Sequence, residues 1–459
     1  MIRIAAGLVA GFALWGGLAG PADARHAADP FADHVGINTH IDFYTSSYGA
    51  YASDPRPNAA AIAAIENALT YLGISHVRDA IDNPFYADIF AAMNRDIGVT
   101  FDFFISPTKF EPNGTPSFND KLGWMLKYPG IVDFVEGANE SDQSPQTYNG
   151  VTGTDMSFGP TLAEQKALDA AASKALGEGH VVQASFLNLW NADRVVEILQ
   201  NVPTLVNWAD YGNAHIYFAT GHGARNPGAA FPPLNNDANW VPYRGYDVAF
   251  GQVAMMAHNA DRLAPRAPVI ASESGYTTAS GYSDGVDPQS QAKYTLTLLP
   301  DELNAGIARI YLYELFDQAP DPSGATAELH YGLYNAARKA KPAASALHNL
   351  MALIGDADID PEPLDYRLKD MADGMASRLF RKPDGTYVLA VWNDAKTCGP
   401  DAQPLAVRDA HVTLTLGKRA KKIAIYDPLE DAKPQETRRA VERLALDVPD
   451  HPILVFITP

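Results

Sequence analysis

Two glutamates in the sequence follow short apolar runs, and their side chains could together cleave a glycosidic bond. Glu140 follows one such run, and Glu273 follows another more than a hundred positions later. One carboxylic acid of such a pair protonates the leaving oxygen, while the other carboxylate attacks the anomeric carbon or activates water. Other polar residues also stand at the ends of apolar runs: Arg78, Asn139, His215 and Tyr217. The sequence therefore predicts a catalytic site, if the fold gathers the ends of these runs.

Eight apolar runs carry these residues between about residues 34 and 355. They are near-continuous hydrophobic segments, as expected for parallel strands that are covered on both faces. The runs are His34–Phe43, Ser75–Ile81, Val99–Ser106, Ile131–Ala138, His180–Phe186, Tyr211–Tyr217, Pro268–Ser272 and Ala308–Tyr313. Helix-like segments lie between or after them: Asn58–Leu72, Thr161–Leu176, Arg194–Leu199, Asp247–Leu263, Pro288–Leu303 and Lys341–Ile354. This alternation predicts an α/β fold.

The expected architecture is a (β/α)8 TIM barrel over residues 25–356. Active sites of such barrels lie at the carboxyl ends of the strands, which is where the polar residues stand. The alternative is a doubly wound open sheet. It is disfavoured because Gly36–His40, which falls within the first run, is not a glycine-rich phosphate loop.

The segments around the two glutamates resemble those of clan A glycoside hydrolases, which are retaining enzymes with a (β/α)8 barrel. Val135–Glu140 resembles the Asn-Glu motif that ends their fourth strand, and Ala271–Tyr276 resembles their segment that bears the nucleophile. The resemblance implies that Glu140 is the general acid/base and that Glu273 is the nucleophile. It also implies that Asn139 contacts the sugar 2-hydroxyl. A retaining pair of carboxyl groups stands about 5–5.5 Å apart.

Further segments extend the resemblance over most of the predicted barrel. Arg78 is similar to the second-strand arginine that hydrogen-bonds the nucleophile, and His215-Ile216-Tyr217 matches the sixth-strand His-x-Tyr. We expect Tyr217 to donate to Glu273 and His215 to be a sugar or structural contact. Tyr331–Tyr334 resembles the closing segment before the eighth helix. The layout is nearest to families 39 and 5.

The sequence departs from the clan at the end of the eighth run. Many clan members carry a tryptophan there as a floor for the reacting sugar, whereas this chain has Tyr311–Phe316. Tyr313 or Phe316 could serve as the platform. Trp240 is the best candidate for another aromatic subsite, because it lies in the Gly-, Pro- and Asn-rich segment Gly221–Tyr246.

The resemblance calls for no metal and no cofactor. His40 and Asp42 could suggest a metal pair, but a metal site needs more ligands at fixed spacing. We therefore expect His40 to reach substrate. Two alternatives remain open, a non-catalytic carbohydrate-binding protein on the same barrel and a metal-dependent hydrolase.

The two ends of the chain carry different signals. Residues 1–24 predict a secretory signal peptide, with Arg3, the apolar run Ile4–Leu18 and the small-x-small site Ala22-Asp23-Ala24. A membrane anchor is the weaker interpretation, because the run is shorter than the ~20 residues that span a bilayer. The mature chain has no other candidate span. We expect export to a bacterial periplasm or exterior.

Residues 357–459 change to short strands joined by turns and predict a small C-terminal β-sandwich domain. Val412–Leu416 alternates apolar and polar residues, as in a half-buried strand. The expected strands are Met375–Arg381, Thr386–Trp392, His411–Leu416, Lys422–Tyr426, Leu444–Val448 and Ile453–Thr458. The single Cys398 excludes an intramolecular disulfide framework.

The composition narrows the class of partner. The 459 residues carry 35 Lys and Arg against 54 Asp and Glu, a formal net charge of -19. This argues against a protein that holds nucleic acid, because phosphate binding needs concentrated cations. The charge names no substrate, and the partner that the resemblance implies is an oligo- or polysaccharide. The sequence leaves open the sugar, the linkage, endo or exo action, and the oligomeric state.

Overall fold

The computed structural model describes most of the chain. The described residues are 30–42, 46–49, 58–105, 117–143, 145–154, 157–190, 192–202, 205–217, 251–265, 267–372, 374–399 and 402–459. The expected signal peptide, the segment 221–246 and Trp240 lie outside these ranges. No helix among the described residues is long and apolar enough to cross a membrane.

Eight parallel strands form the first sheet, one for each apolar run of the sequence. They are β1 Val35–Asn38, β2 His76–Ala80, β3 Thr100–Ile105, β4 Val132–Ala138, β5 Val181–Val182, β6 Gly212–Tyr217, β7 Val269–Gly275 and β8 Ile307–Leu312. Their order is β5-β4-β3-β2-β1-β8-β7-β6. A parallel bridge between Val182 and Tyr211 joins the two edges, and Gln183 N donates to Tyr211 O at 2.9 Å. The sheet is therefore a closed (β/α)8 barrel, as predicted.

Helices cover the outside of the barrel. They are α1 Ala59–Leu72, α2 Pro84–Ile97, α3 Phe118–Met125, α4 Gly159–Ala175, α5 Ala192–Asn201, α6 Gly251–Leu263, α7 Pro288–Asn304 and α8 Pro342–Ile354. Local sequence sets their ends. Asn58 caps α1 by accepting from Ala61 N, and Gly73 ends it at φ +72°. Ser117 and Asp120 form a capping box on α3.

The fifth strand is short because a side chain takes over its hydrogen bonds. Gln165 on α4 donates from Nε2 to Val182 O at 3.2 Å and accepts from Ala184 N at 2.8 Å. Gly137 on β4 makes room for this amide, because a Cβ there would meet Gln165 Oε1 and Ala184 N. The segment after β5 thus stays beside β4 without continuing the ladder.

The barrel interior holds a small apolar cluster below the polar residues that lie near the carboxyl ends of its strands. Phe134, Val182, Ile270 and Tyr311 pack together as a small buried cluster. Alternate residues of a strand share a face, so Glu136 and Ser272 point the same way, one layer closer to the carboxyl ends. The candidate site therefore stands on a packed apolar floor.

The C-terminal region is a β domain built on six antiparallel strands. They are β9 Tyr366–Lys369, β10 Met375–Arg381, β11 Tyr387–Asn393, β12 Ala410–Tyr426, β13 Pro434–Val448 and β14 Ile453–Thr458. The order is β9-β12-β14-β11-β10, and β13 also pairs with β12. The long β12 serves both halves of the sheet, pairing with β9 at Thr413–Leu416 and with β14 at Lys422–Tyr426.

This domain has its own apolar core and its strands form one continuous sheet. Leu389, Leu414, Leu446 and Val455 contribute to that core. The predicted segments His411–Leu416 and Lys422–Tyr426 belong to the single strand β12, which shows a register shift in its middle. The β9 strand and the charged first half of β13 carry no strong apolar signal, so the sequence did not reveal them.

The β domain packs on α7, the helix that follows β7. Thr397 N donates to Tyr294 Oη at 2.8 Å, and Lys293 forms a 2.7 Å ion pair with Asp450. Trp392, which is fully buried, donates from Nε1 to Asp301 at 3.4 Å. The domain therefore supports the helix behind the strand that carries Glu273.

Candidate active site

Glu273 lies near the end of β7 with both carboxyl oxygens held. Arg78 Nη1 donates to Oε1 at 2.7 Å, and Tyr217 Oη donates to Oε2 at 2.7 Å. Burial favours the neutral acid, but His215, Arg78 and the Tyr217 hydrogen bond outweigh it and lower the pKa of Glu273 below its ordinary value. Glu273 is therefore ionised and its oxygens are oriented, which suits a nucleophile.

Glu140 follows β4 and faces the same space from the other side of the barrel mouth. Its backbone has a φ of +46°, and its amide donates to Ser185 Oγ at 2.8 Å. The side chain is 23% exposed, and Oε1 lies 2.9 Å from His215 Nδ1. The residue thus turns out of the strand direction and presents its carboxyl group to a partly open site, where a leaving oxygen could reach it.

The two carboxyl groups are close together. One oxygen of Glu140, one oxygen of Glu273 and a ring nitrogen of His215 all lie within 4.8 Å of one another. The carboxyl groups of inverting glycosidases are about 6.5–9.5 Å apart, to leave room for a water molecule. The nearest oxygens of Glu140 and Glu273 approach more closely than that range.

Every N–H group of the Arg78 guanidinium donates a hydrogen bond in or behind this site. Its Nε and Nη2 donate to the two oxygens of Glu136 at 2.8 Å each, which makes a bidentate pair with a fully buried carboxylate. The remaining N–H groups donate to Asn38, Glu273 and Asn139 at 2.7–2.8 Å. All five donors of the guanidinium therefore have acceptors. The predicted contact with Glu273 is present, and Glu136 fixes the orientation of the arginine behind it.

His215 is fully buried between the two glutamates. Nδ1 lies 2.9 Å from Glu140 and 3.4 Å from Glu273 Oε2, while Nε2 lies 3.1 Å from Ser272 Oγ. Burial disfavours the charged ring, but the Glu273 and Glu140 carboxylates outweigh it and raise the pKa of His215. The residue therefore touches both carboxyl groups, which is the structural role among the two expected from the sequence.

Asn139 is oriented by its neighbours. Its Oδ1 accepts from Arg78 Nη2 at 2.8 Å and from Ser185 Oγ at 3.4 Å. Because the oxygen faces these donors, the side-chain NH2 group faces away from them. Arg78 and Ser185 therefore fix the orientation of the Asn139 amide next to Glu140.

His40 and Tyr313 lie beside the site and bond to each other. Nε2 of His40 lies 3.0 Å from Tyr313 Oη and 3.1 Å from Glu314 Oε2. Burial lowers the pKa of His40 to about 3, so the ring is neutral. His40 is 5% exposed and Tyr313 is 9% exposed. In this geometry His40 is a buried hydrogen-bond partner of Tyr313.

The aromatic lining differs from the sequence-based expectation. Phe316 is 1% exposed and packs against Tyr48 and Tyr334, so it cannot be a sugar platform. Tyr331, which was not selected for the site, has its ring centroid 5.4 Å from those of Tyr217 and Tyr313. Its position in the segment that closes the barrel was the available signal.

Glu328 is another residue that sequence reasoning missed. It lies in the short 3-10 turn Ala327–Leu329, and its Oε2 accepts from Tyr313 Oη at 3.2 Å. Burial raises the pKa of Glu328 to about 7, and the charge that it carries when ionised raises the pKa values of Tyr217, Tyr313 and Tyr331. A carboxylate in an irregular loop has no sequence pattern that would place it beside the mouth.

Three residues of the candidate active site also have the spacing of metal ligands. Within the ranges that the structure describes, Glu140, His215 and Glu273 are the one such group. However, Arg78 and Tyr217 already donate to both oxygens of Glu273. A divalent cation would have to sit beside a guanidinium, which opposes binding.

Comparison with known proteins defines the fold. No protein-family profile matches the chain, and no curated protein matches it. Solved structures do. A family 39 glycoside hydrolase from the gut symbiont Bacteroides cellulosilyticus WH2 aligns with a TM-score of 0.61 at 11% identity, over 94% of this chain and 81% of that chain.

Two further structures show the same similarity. A GH39 enzyme from Xanthomonas axonopodis pv. citri gives a TM-score of 0.55 at 13% identity, over 94% of this chain and 96% of that chain. A monomeric beta-xylosidase from Caulobacter crescentus CB15 gives 0.53 at 13% identity, over 95% and 98%. The chain therefore shares its whole fold, barrel and β domain together, with solved glycoside hydrolases.

Proposed function

We propose that the protein is an exported retaining glycoside hydrolase that cleaves an O-glycosidic bond of an oligo- or polysaccharide. The observation that carries the proposal is the pair Glu140 and Glu273, whose oxygens approach within 4.8 Å at the mouth of the barrel. One member is held as an oriented anion, and the other is partly exposed beside a histidine. The similarity of fold to solved glycoside hydrolases supports the same conclusion.

In the first step Glu273 attacks the anomeric carbon. A carboxylate oxygen forms a bond to that carbon while the bond to the leaving oxygen breaks, and Glu140 gives its proton to that oxygen. Arg78 and Tyr217 keep the attacking carboxylate ionised and aimed. The products of the step are a glycosyl ester on Glu273 and a free alcohol, and Glu140 is left as a carboxylate.

In the second step water cleaves the ester. Glu140 now takes a proton from water, whose oxygen attacks the anomeric carbon from the face that the leaving group vacated. The bond to Glu273 breaks and the carboxylate is restored. Two inversions return the original anomeric configuration, and Glu140 holds its proton again.

The surrounding polar residues fit this scheme. The NH2 group of Asn139 stands next to Glu140 and could donate to a sugar hydroxyl, as the clan resemblance implies. Tyr313 and Tyr331 supply aromatic surface beside Glu273, in place of the tryptophan of many clan members. Trp240 stays a proposed subsite residue and His40 a proposed contact of the reacting sugar.

A screen of aryl glycosides tests the proposal. Wild type is compared with Glu273→Gln and Glu140→Gln on a panel of nitrophenyl glycosides, with xylosides among the first because one structure of similar fold is a beta-xylosidase. We expect wild type to turn over at least one glycoside and Glu273→Gln to lose it by more than about 10⁴-fold. Proton NMR of the first-formed anomer should show retention.

A matched control keeps this test sharp. Glu164 on α4 is fully buried, and burial raises its pKa to about 8, so it is neutral and Gln is close to isosteric. Glu164→Gln should keep wild-type activity. The proposal fails if no glycoside is turned over, or if Glu273→Gln remains as active as Glu164→Gln.

A metal-dependent hydrolase is the second candidate, since Glu140, His215 and Glu273 have ligand-like spacing. Such an enzyme would lose activity in EDTA and recover it with added Zn²⁺ or Mn²⁺. We expect activity to be unchanged by chelator. Complete loss that a metal ion restores would replace the two-carboxylate scheme.

We also propose the organisation 1–24 signal peptide, 25–356 catalytic barrel and 357–459 β domain. Expression of the full chain in a bacterium, followed by N-terminal sequencing of the periplasmic protein, checks the first boundary. The expected new N-terminus is Arg25. Recovery of uncleaved protein in the membrane fraction would favour the anchor alternative.

A further inference from the structure

His215 has a third neighbour besides the two glutamates, and that neighbour fixes which ring nitrogen carries a proton. Its Nε2 lies 3.1 Å from the hydroxyl of Ser272, the residue directly before Glu273. Ser272 is fully buried, so its hydroxyl has no water to turn towards. The direction of that hydroxyl therefore decides the tautomer of the histidine.

The Ser272 hydroxyl can donate its proton to either of two acceptors. Ser272 Oγ lies 2.7 Å from Asn213 Oδ1 and 3.3 Å from Glu136 Oε1. An amide oxygen and a carboxylate oxygen can only accept. Whichever of the two receives the hydroxyl proton, the serine has lone pairs left for His215, and Nε2 must be the donor.

The orientation of Asn213 is itself set by the backbone. Its Nδ2 donates to Gln183 O at 3.0 Å, so the amide oxygen faces Ser272. Glu136 is held by the two donors of Arg78. The hydrogen bonds therefore all point the same way: His215 Nε2 donates to Ser272, Ser272 donates to Asn213, and Asn213 donates to Gln183 O. Nε2 is the ring nitrogen that faces away from Glu140.

A consequence follows for the acid/base residue. With a proton always on Nε2, the opposite nitrogen Nδ1 faces Glu140 Oε1 at 2.9 Å with room for one proton between them. That proton lies either on Glu140, with Nδ1 as acceptor, or on Nδ1, with Glu140 as acceptor. In both cases the pair holds the one proton that the leaving group needs.

We infer that Ser272 and Asn213 are positioning residues that lock His215 in its Nε2–H form, so that His215 and Glu140 share the proton delivered in the first step. This inference rests on the proposed function. The charged groups around His215 agree with it: Glu140 from β4 and Glu273 from β7 favour a proton on the ring, while Arg78 from β2 opposes it. Glu136 reaches the ring only through Ser272.

The first test reads the tautomer directly and needs no substrate. Protein labelled with 15N at histidine is studied by long-range 1H–15N correlation, and the His215 signals are assigned by their loss in His215→Gln. We expect Nε2 protonated in wild type and in Ser272→Thr, which keeps the hydroxyl. In Ser272→Ala the neutral ring should move its proton to Nδ1, because no acceptor is left at Nε2. An unchanged tautomer in Ser272→Ala overturns the inference.

The second test uses the glycoside that wild type turns over. General acid catalysis matters for poor leaving groups and is dispensable for dinitrophenolate. Ser272→Ala should lose about 10²-fold in kcat/KM on an alkyl glycoside and be unchanged on the dinitrophenyl glycoside. Ser272→Thr should restore the alkyl substrate. Asn213→Ala should have a smaller effect than Ser272→Ala, because Glu136 can still accept the serine proton and leave Nε2 as the donor.

A matched serine separates this role from simple packing. Ser274 flanks Glu273 on the other side, is equally buried, and donates to Glu302 on α7 at 2.6 Å instead of to His215. Ser274→Ala should lower stability without changing the ratio between the two leaving groups. Equal losses on both substrates in Ser272→Ala would refute the inference. Absence of any wild-type turnover would instead refute the proposed function and leave the tautomer test standing.

Discussion

Arg78 donates to Glu273 from Nη1 at 2.7 Å while Glu136 holds its Nε and Nη2 at 2.8 Å. The arginine thus joins two buried carboxylates on different strands, one behind the site and one in it. Because the guanidinium is rigid and planar, fixing one edge on Glu136 also fixes the edge that faces Glu273. The nucleophile is thus oriented by a second carboxylate that lies inside the barrel.

Replacement of Arg78 by lysine keeps the positive charge but removes the planar guanidinium that donates to both Glu136 and Glu273. Arg78→Lys should raise the pKa of Glu273, move the acid limb of the kcat/KM profile to higher pH, and lower the unfolding free energy by about 1–3 kcal/mol, because buried carboxylate oxygens lose donors. A pH–rate profile and urea unfolding measure both effects. Arg309→Lys, which disturbs the 2.9 Å pair with Asp133 away from the site, should change stability alone.

Removal of the Tyr217 hydroxyl tests the other donor to Glu273. Hydrogen bonds to charged groups contribute about 1.5–3 kcal/mol, so Tyr217→Phe should reduce kcat/KM by roughly 10- to 150-fold. Tyr294→Phe removes a buried hydroxyl at the junction with the β domain, where it accepts from Thr397 N. It should reduce thermal stability and spare kcat/KM. Equal effects of the two variants on activity would argue against a role for Tyr217 in the site.

The pH dependence of wild type follows from the two shifted groups. Glu273 has a lowered pKa, so it is ionised at neutral pH and is protonated only below the ordinary value of about 4.3. His215 has a raised pKa, so the proton that it shares with Glu140 is lost only above about 6.5. The kcat/KM profile should be a bell with an acid limb below the first value and an alkaline limb above the second. An alkaline limb below about pH 6 would contradict the sharing of that proton.

The β domain should unfold together with the barrel. Trp392 is fully buried and bonds to Asp301 on α7, so Trp392→Ala removes packing at the junction. Loss of a buried large aromatic side chain costs about 3–5 kcal/mol. Calorimetry should show one transition at a lower temperature. Two separate transitions in wild type would show that the two regions are stable independently.

The sequence predicted the elements that have a strong local signal. All eight barrel strands were found because parallel strands bury both faces and read as apolar runs. The site followed from them, since a barrel brings the strand ends to one mouth, and Arg78, Tyr217 and Glu273 meet there as expected.

The features of the site that the sequence did not reveal are set by contacts between residues far apart in the chain. Ser272 and Asn213 are ordinary polar residues within strands, and only the closed barrel brings both to His215. Phe316 looked like a platform until its packing against Tyr48 showed it to be buried. Glu328 sits in an irregular turn, where no periodicity indicates which way a side chain faces.

The most direct test of the central claim is to trap the covalent intermediate. Wild type is incubated with activated 2-deoxy-2-fluoro glycosides of the sugar that the screen identifies, and intact mass and peptide mapping locate the adduct. The account predicts one added glycosyl group per chain, carried by Glu273 and absent in Glu273→Gln. Turnover with no adduct and with inversion at the anomeric carbon would contradict it.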